Sequence, residues 1–195
     1  MDIKKIVNFI FELSQLKRQR HSGFQLAGIK NPDTVAEHAL RAAQIGYILA
    51  IMEGANAEKV ACMLMIHDNA EARIGDINKV AARYITNKES EINAFAEQVE
   101  SLGQIVKEKW LGYFQEQENR NTKEGIIAKD ADWLEMAFQA KEYLDLGHAS
   151  AIDWINSVEN SVETESAKAI IKEMKETQFT DWWGGLKKMT YKKLK

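Results

Sequence analysis

A chain of 195 residues with 45% hydrophobic and 28% charged side chains has the composition of an ordinary globular protein with room for one substantial core. A net charge of −3 argues against general affinity for nucleic acid, and the absence of any apolar run of spanning length argues against a membrane-embedded chain. The one cysteine, Cys62 in "VACMLM", has no internal disulfide partner and reads as a buried, inert thiol of a cytoplasmic protein.

A single proline, Pro32, and the scarcity of alternating β-branched runs point to an all-α chain. Ile3, Ile6, Val7, Ile10 and Leu13 form the first amphipathic stripe, and the N-terminal stretch is too interrupted by charge for a signal peptide. The glycines and Pro32 of "RQRHSGFQLAGIKN" mark a loop. Thr34 and Glu37 have capping-box spacing, which predicts a helix from about Asp33 to Glu53 ending at Gly54. Its inward stripe is Val35, Ala39, Ala42, Ile45 and Leu49, with His38 on the same side. Asn56 caps a third helix whose Val60, Leu64, His67, Asp68 and Glu71 share one broad face, so the stripe becomes polar without turning outward. A long helix is expected from about Lys88 to Phe114, with Gly103 as a bend. The segment "NTKEGIIAKDADWLEMAFQAKEYLDLG" is apolar on more than one side and is expected to be central. Further helices are expected near 151–157 and 161–177, and "FTDWWGG" as an aromatic turn closing over the body or a partner. The basic end "GGLKKMTYKKLK" reads as a solvated terminus. No repeat or linker interrupts the chain, which predicts one domain over residues 1–195: a motif-bearing core of about 16–150, with helices of 151–195 packed on it.

Burying ionised carboxylates costs several kcal/mol each unless they are paired or bind a metal. Asp68, Glu71 and Asp132 all lie on inward faces. Singly, His38 reads as a hydrogen-bonded core histidine and Asp132 as the partner of Lys129. Together, two histidines and two aspartates from three helices can converge on a divalent cation and leave positions for water and a substrate oxygen. Glu71, one turn after His67, then lies beside the metal and can orient or deprotonate a bound water. Asp76 follows Gly75, where spacing alone favours an N-cap for a helix starting at Ile77 over a catalytic role. Arg18, Arg20, His21, Arg73 and Lys129 can supply charge to a phosphate or lie solvated at the surface.

These residues resemble the HD-domain metal-dependent phosphohydrolases: a histidine in "TVAEHAL" (His38), a His-Asp pair in "MIHDNAE" (His67, Asp68) and a distant aspartate in "KDADWLE" (Asp132). "HDNAEARIGD" is most similar to the 5′-deoxynucleotidase branch, and the likeness runs from Leu16 through Asp132 and the adjoining helices. It implies a globular helical HD fold, commonly homodimeric. It also implies a divalent ion (Mn, Co, Fe, Ni, Zn or Mg), taken as one per chain, on His38, His67, Asp68 and Asp132. Glu71 and Asp76 then become the catalytic carboxylates, which lifts Asp76 above the capping role. Where that branch carries a substrate-selecting arginine, this chain has His21, with Arg18 and Arg20 close by, so sugar discrimination is open.

The function expected is removal of the 5′-phosphate from (deoxy)ribonucleoside monophosphates by a metal-activated water, with no stable nucleic-acid or membrane partner. Two alternatives stand beside it. One keeps the HD fold and changes the substrate to another nucleotide or a phosphodiester, or, with two irons, to an oxidative cleavage. The other is a non-catalytic, metal-stabilised interaction module presenting Phe179, Trp182 and Trp183, for which Glu71 and Asp76 would be superfluous.

Overall fold

Capping side chains at Asp2, Thr34, Asn56, Thr122 and Thr164 start five of the described helices. The computed structural model describes residues 2–85 and 88–186, so the basic end at 187–195 lies outside the described residues. Asp2 accepts from the Lys4 amide at 2.9 Å and opens α1 (Ile3–Leu13). The loop that follows contains one short helix, α2 (Ser22–Leu26). Thr34 and Glu37 form the expected capping box, with Glu37 N donating to Thr34 Oγ1 at 3.2 Å and Thr34 N to Glu37 Oε2 at 2.7 Å. They start α3 (Val35–Glu53), which ends at Gly54 in the left-handed region, φ +66°. Asn56 Oδ1 accepts from Lys59 N at 2.9 Å to begin α4 (Ala57–Ile66).

The polar stripe departs from the expected straight helix. α4 stops at Ile66, and the next four residues turn before α5 (Glu71–Ile74). The turn is built from tighter i→i−3 bonds, among them Asn69 N to Ile66 O at 3.1 Å and Glu71 N to Asp68 O at 3.0 Å. The expected helix over 88–114 is likewise two, α6 (Lys88–Val99) and α7 (Gln104–Asn119). Gly103, with φ +88°, separates them rather than bending one helix.

α8 (Lys123–Asp145) is central, as its all-round apolar pattern predicts, and packs against α3, α4 and α7 and against α9 (Ile152–Glu159) and α10 (Glu165–Glu176). Leu49, Leu64, Leu134, Ile155 and Ile171 are fully enclosed in the main core these helices share. A second cluster of Phe9, Ile66, Phe95, Val99 and Phe114 joins α1, α6 and α7. Leu64 belongs to the first and Ile66 to the second, so His67 and Asp68 emerge at their seam. Among the described residues regular structure is entirely helical, apart from one isolated antiparallel bridge between Arg20 and Thr34.

Three surface expectations change. In α1 only Phe9 is buried, while Ile3, Val7, Ile10 and Phe11 are exposed, because the helix meets the second cluster along one edge of a wide apolar arc. Trp182 and Trp183 pack edge-to-face with centroids 5.2 Å apart but remain 69% and 51% exposed, so the aromatic turn does not close over the described body. Cys62 is half-buried, and burial raises its thiol pKa. No described helix is long and apolar enough to cross a membrane.

Candidate metal centre

Three elements deliver four donor atoms to one point. His38 comes from the second turn of α3, His67 and Asp68 from the turn after α4, and Asp132 from the middle of α8. His38 Nε2 lies 3.3 Å from His67 Nε2, 3.3 Å from Asp132 Oδ1 and 3.6 Å from Asp68 Oδ2. His67 Nε2 lies 3.2 Å from Asp68 Oδ2 and 3.7 Å from Asp132 Oδ1. Donors about 2.1 Å from a common ion in tetrahedral array stand about 3.4 Å from one another, so this spacing suits a divalent ion with mixed nitrogen and oxygen ligands. His21, His38 and Asp68 form a second overlapping set, with donor atoms within 4.8 Å of one another.

The donors are held from behind. His67 Nδ1 donates to Leu64 O at 2.8 Å, and His38 Nδ1 donates to the buried Glu135 carboxylate, so each ring turns Nε2 inward. Glu135 Oε1 accepts from Arg41 Nε at 2.7 Å, and Arg41 also reaches Gln139 at 2.8 Å and Glu142 at 2.5 Å. Lys129 Nζ takes Asp132 Oδ2 at 2.8 Å and leaves Oδ1 facing the imidazoles. Burial pushes the Asp132 carboxyl upward, but Lys129 and the two histidines outweigh it and hold it well below the usual range. Glu135 and Arg41 carry roles that motif reading missed. Each sits three residues after a donor on the same helix, a spacing that was the available signal.

Glu71 is the acid beside the cluster. Its Oε2 has no hydrogen-bond partner among the described residues, and burial together with the charges of Asp68 and Asp76 pushes its pKa up to about 10. Such an uncompensated group of carboxylates fits a site built for a cation. Asp76 caps no helix at Ile77. Its carboxylate accepts from Ser22 N, and its carbonyl accepts from Ser22 Oγ at 3.1 Å, tying α2 to the rim of the site.

The four candidate phosphate contacts separate. His21 stands edge-on to His38 with ring centroids 4.9 Å apart, its Nδ1 2.8 Å from Asp33 Oδ2. Arg20 lines an open cleft of about 410 Å³ behind Glu135 and donates to Pro32 O at 2.7 Å. Arg18 folds back on Ser14 O at 2.9 Å. Arg73 is taken up by Glu12 and Glu97, at 2.5 and 2.9 Å, on the far side of α5. The structure therefore brings His21 to the donors, and Arg18 and Arg73 point elsewhere.

The family model described as HD domain matches residues 13–175. This chain belongs to the HD-domain family. The HD-domain chain is 26% identical over 148 residues to the 5′-deoxynucleotidase HDDC2 of Homo sapiens, covering 74% of this chain and 71% of that one. It is 29% identical over 162 residues to the 5′-deoxynucleotidase HDDC2 of Dictyostelium discoideum, covering 78% and 80%. Among solved structures, a conserved hypothetical protein from Pyrococcus furiosus superposes with a TM-score of 0.73 at 28% identity, covering 88% of the HD-domain chain and 99% of that protein.

Proposed function

We propose that this HD-domain protein is a metal-dependent 5′-deoxynucleotidase that hydrolyses the phosphomonoester of deoxyribonucleoside 5′-monophosphates, with one divalent ion on His38, His67, Asp68 and Asp132. The observation that carries the reading is the convergence of two imidazole nitrogens and two carboxylate oxygens, 3.2–3.7 Å apart for the five pairs given above, beside Glu71 Oε2, which has no hydrogen-bond partner among the described residues. The named activity of the relatives supports the substrate class. A divalent ion there neutralises charge on phosphoryl oxygens and lowers the pKa of water, and mixed nitrogen and oxygen donors suit Mn, Co, Fe, Ni or Zn.

The residues divide the remaining work. Beside a divalent cation, which offsets the charges of Asp68 and Asp76, Glu71 is held as the carboxylate and takes a proton from the water that attacks phosphorus in line. As the new P–O bond forms, the bond to the nucleoside 5′-oxygen breaks, giving inorganic phosphate and nucleoside. Asp76 assists departure of that oxygen, which gains a proton from solvent to become the nucleoside hydroxyl as Glu71 returns its own proton to solvent, and the tie of Asp76 to Ser22 keeps the loop bearing His21 against the site. His21, paired with Asp33, faces the phosphoryl group in place of an arginine.

The described chain acts as one HD domain, with α9 and α10 packed on the motif-bearing core. The exposed apolar stripe Leu40, Tyr47, Ile48, Ile51 and Met52 of α3 supports a homodimer, and a lone half-buried cysteine suits the cytoplasm. The test is phosphate release from deoxyribo- and ribonucleoside 5′-monophosphates with Mn or Co added. Wild type should turn over, and Glu71→Ala should lose at least about 10²-fold in kcat while retaining metal. No release from any monophosphate by metal-loaded wild type overturns the reading.

A further inference from the structure

By sequence the basic end is a solvated terminus, but the structure sets an exposed aromatic pair just before it. Trp182 and Trp183 meet edge-to-face in a single 3₁₀ turn (Asp181–Trp183), and Leu186, 59% exposed, follows them. The turn is fixed to the body. Phe179 N donates to Asp145 Oδ2 at 3.2 Å at the end of α8, and Gln178 N donates to Asp181 Oδ2 at 3.0 Å. Asp145 is itself held by Lys141 Nζ at 2.6 Å. Two adjacent indoles are thus exposed on an anchored turn, and neither the donor site nor the hydrolytic roles use them.

Charge selects what such a surface meets. The chain's net charge is −3, yet residues 187–195 hold five of its 26 basic residues (Lys187, Lys188, Lys192, Lys193 and Lys195) and none of its 29 acidic ones. Lys187 follows Leu186 directly, and by chain length none of the five can lie more than about 30 Å from it. A symmetric contact between two copies would bring two lysine clusters together, which disfavours self-association through this face. A polynucleotide track is disfavoured as well: no arginine occurs from Gln178 onward, and Asp145 and Asp181 flank the indoles where a basic groove would be needed. An anionic bilayer matches both features. Tryptophan rings settle at the headgroup level, and lysines beside them are drawn to negatively charged lipid. One weak signal gives marginal attachment, whereas an apolar anchor joined to a polybasic patch holds.

We propose that Trp182, Trp183 and Leu186, with the lysines that follow them, form a reversible docking surface for an anionic lipid bilayer. The indoles enter the headgroup layer, and the lysines pair with lipid phosphates. This replaces the expectation of a chain without a membrane partner, and it stands independently of the nucleotidase reading. Asp145, which anchors the turn, lies about 20 Å along α8 from the metal-ligand candidate Asp132, so the contact is remote from the donor atoms and takes no part in bond breaking.

The experiment measures flotation of the metal-loaded full chain with vesicles of phosphatidylcholine, alone or with about 30% phosphatidylglycerol. Wild type is compared with the double variants Trp182→Ala/Trp183→Ala and Lys187→Gln/Lys188→Gln, each checked by thermal melting. Wild type should partition onto the anionic vesicles at least about tenfold more strongly than onto the neutral ones, and should lose most of that preference between about 0.1 and about 0.5 M salt. Removing two lysines should weaken the partitioning about 25-fold, at about fivefold each, and removing both indoles at least about tenfold. Tryptophan emission should shift to shorter wavelength with anionic vesicles in wild type and not in Trp182→Ala/Trp183→Ala. Absence of binding to anionic vesicles, or equal binding by all three proteins, overturns the proposal. A single-stranded oligonucleotide bound more tightly than the vesicles, with loss in both variants, overturns it in favour of nucleic acid. A dimer seen in sedimentation that Trp182→Ala/Trp183→Ala abolishes overturns it in favour of a second copy.

Discussion

Replacing Glu135 by alanine tests the idea that the donor set is held from behind. The carboxylate is 1% exposed and serves two partners, accepting from His38 Nδ1 on one oxygen and from Arg41 Nε at 2.7 Å on the other. Without it, His38 can rotate or change tautomer, and Nε2 is no longer fixed 3.3 Å from both His67 Nε2 and Asp132 Oδ1. Loss of such a partner typically weakens metal binding about 10- to 100-fold, or about 1.4–2.7 kcal/mol. Folding should suffer separately. Truncating one member of a buried ion pair costs about 3–5 kcal/mol when the survivor is stranded, but Arg41 keeps Glu142 at 2.5 Å and Gln139 at 2.8 Å, so about 2 kcal/mol is expected. The two effects are read apart by measuring urea unfolding of the metal-free protein and the Mn dissociation constant of the folded protein by chelator competition. Glu135→Gln keeps one acceptor oxygen for either His38 or Arg41 and should fall between wild type and Glu135→Ala. Wild-type Mn affinity in a folded Glu135→Ala protein would refute the reasoning.

Three further outcomes follow from the packing. A Cβ at Gly46, where α3 crosses α4, would lie 2.2 Å from Leu64 Cδ1 and 2.9 Å from Val60 Cγ1, and Leu64 is fully enclosed, so Gly46→Ala should lose about 1–3 kcal/mol despite the better helix propensity of alanine; an unchanged urea midpoint would show that the crossing yields. Asp130, 1% exposed, accepts from Glu163 N at 3.0 Å and from Thr164 N and Oγ1 at 2.7 Å, so Asp130→Ala should cost about 2–3 kcal/mol and free the start of α10 to hydrogen exchange. Burial pushes Glu12 upward, but hydrogen bonds from Arg73 and Gln98 outweigh it and lower its pKa below 4.5. A lowered carboxyl pKa adds stability above the unfolded value and loses it as pH falls through the folded one, so Glu12→Gln should cost about 1 kcal/mol at about pH 6 and little at about pH 3, a contrast that urea midpoints at both pH values would check.

The metal-ligand candidates were legible because each is anomalous where it stands: His38, His67, Asp68 and Asp132 interrupt faces whose neighbours are Val35, Leu64 and Ala128, all fully buried. Thr34 and Asn56 start their helices by local hydrogen bonds that neighbouring residues alone define, so those boundaries were also readable. The break between Ile66 and Glu71 was not, because the side-chain pattern is that of a continuing helix while the tight turn answers to the seam between two cores. The outward arc of α1 escaped for a related reason: an apolar stripe says that a face can be buried, and only the neighbouring elements decide which part of it is covered.

The sequence by itself determined the all-helical class, the capped starts of α3 and α4 and the candidate site residues, since these depend on residue type and on spacings of three or four along one helix. Only the tertiary structure decided that His21 rather than Arg18 or Arg73 meets the donors, that Asp76 ties down Ser22, that Glu135 anchors His38 and that Gln117 Oε1 is buried with no hydrogen-bond partner among the described residues. Those relations join residues 21 with 38, 22 with 76 and 38 with 135, and they arise from how helices cross, which a one-dimensional periodicity does not encode.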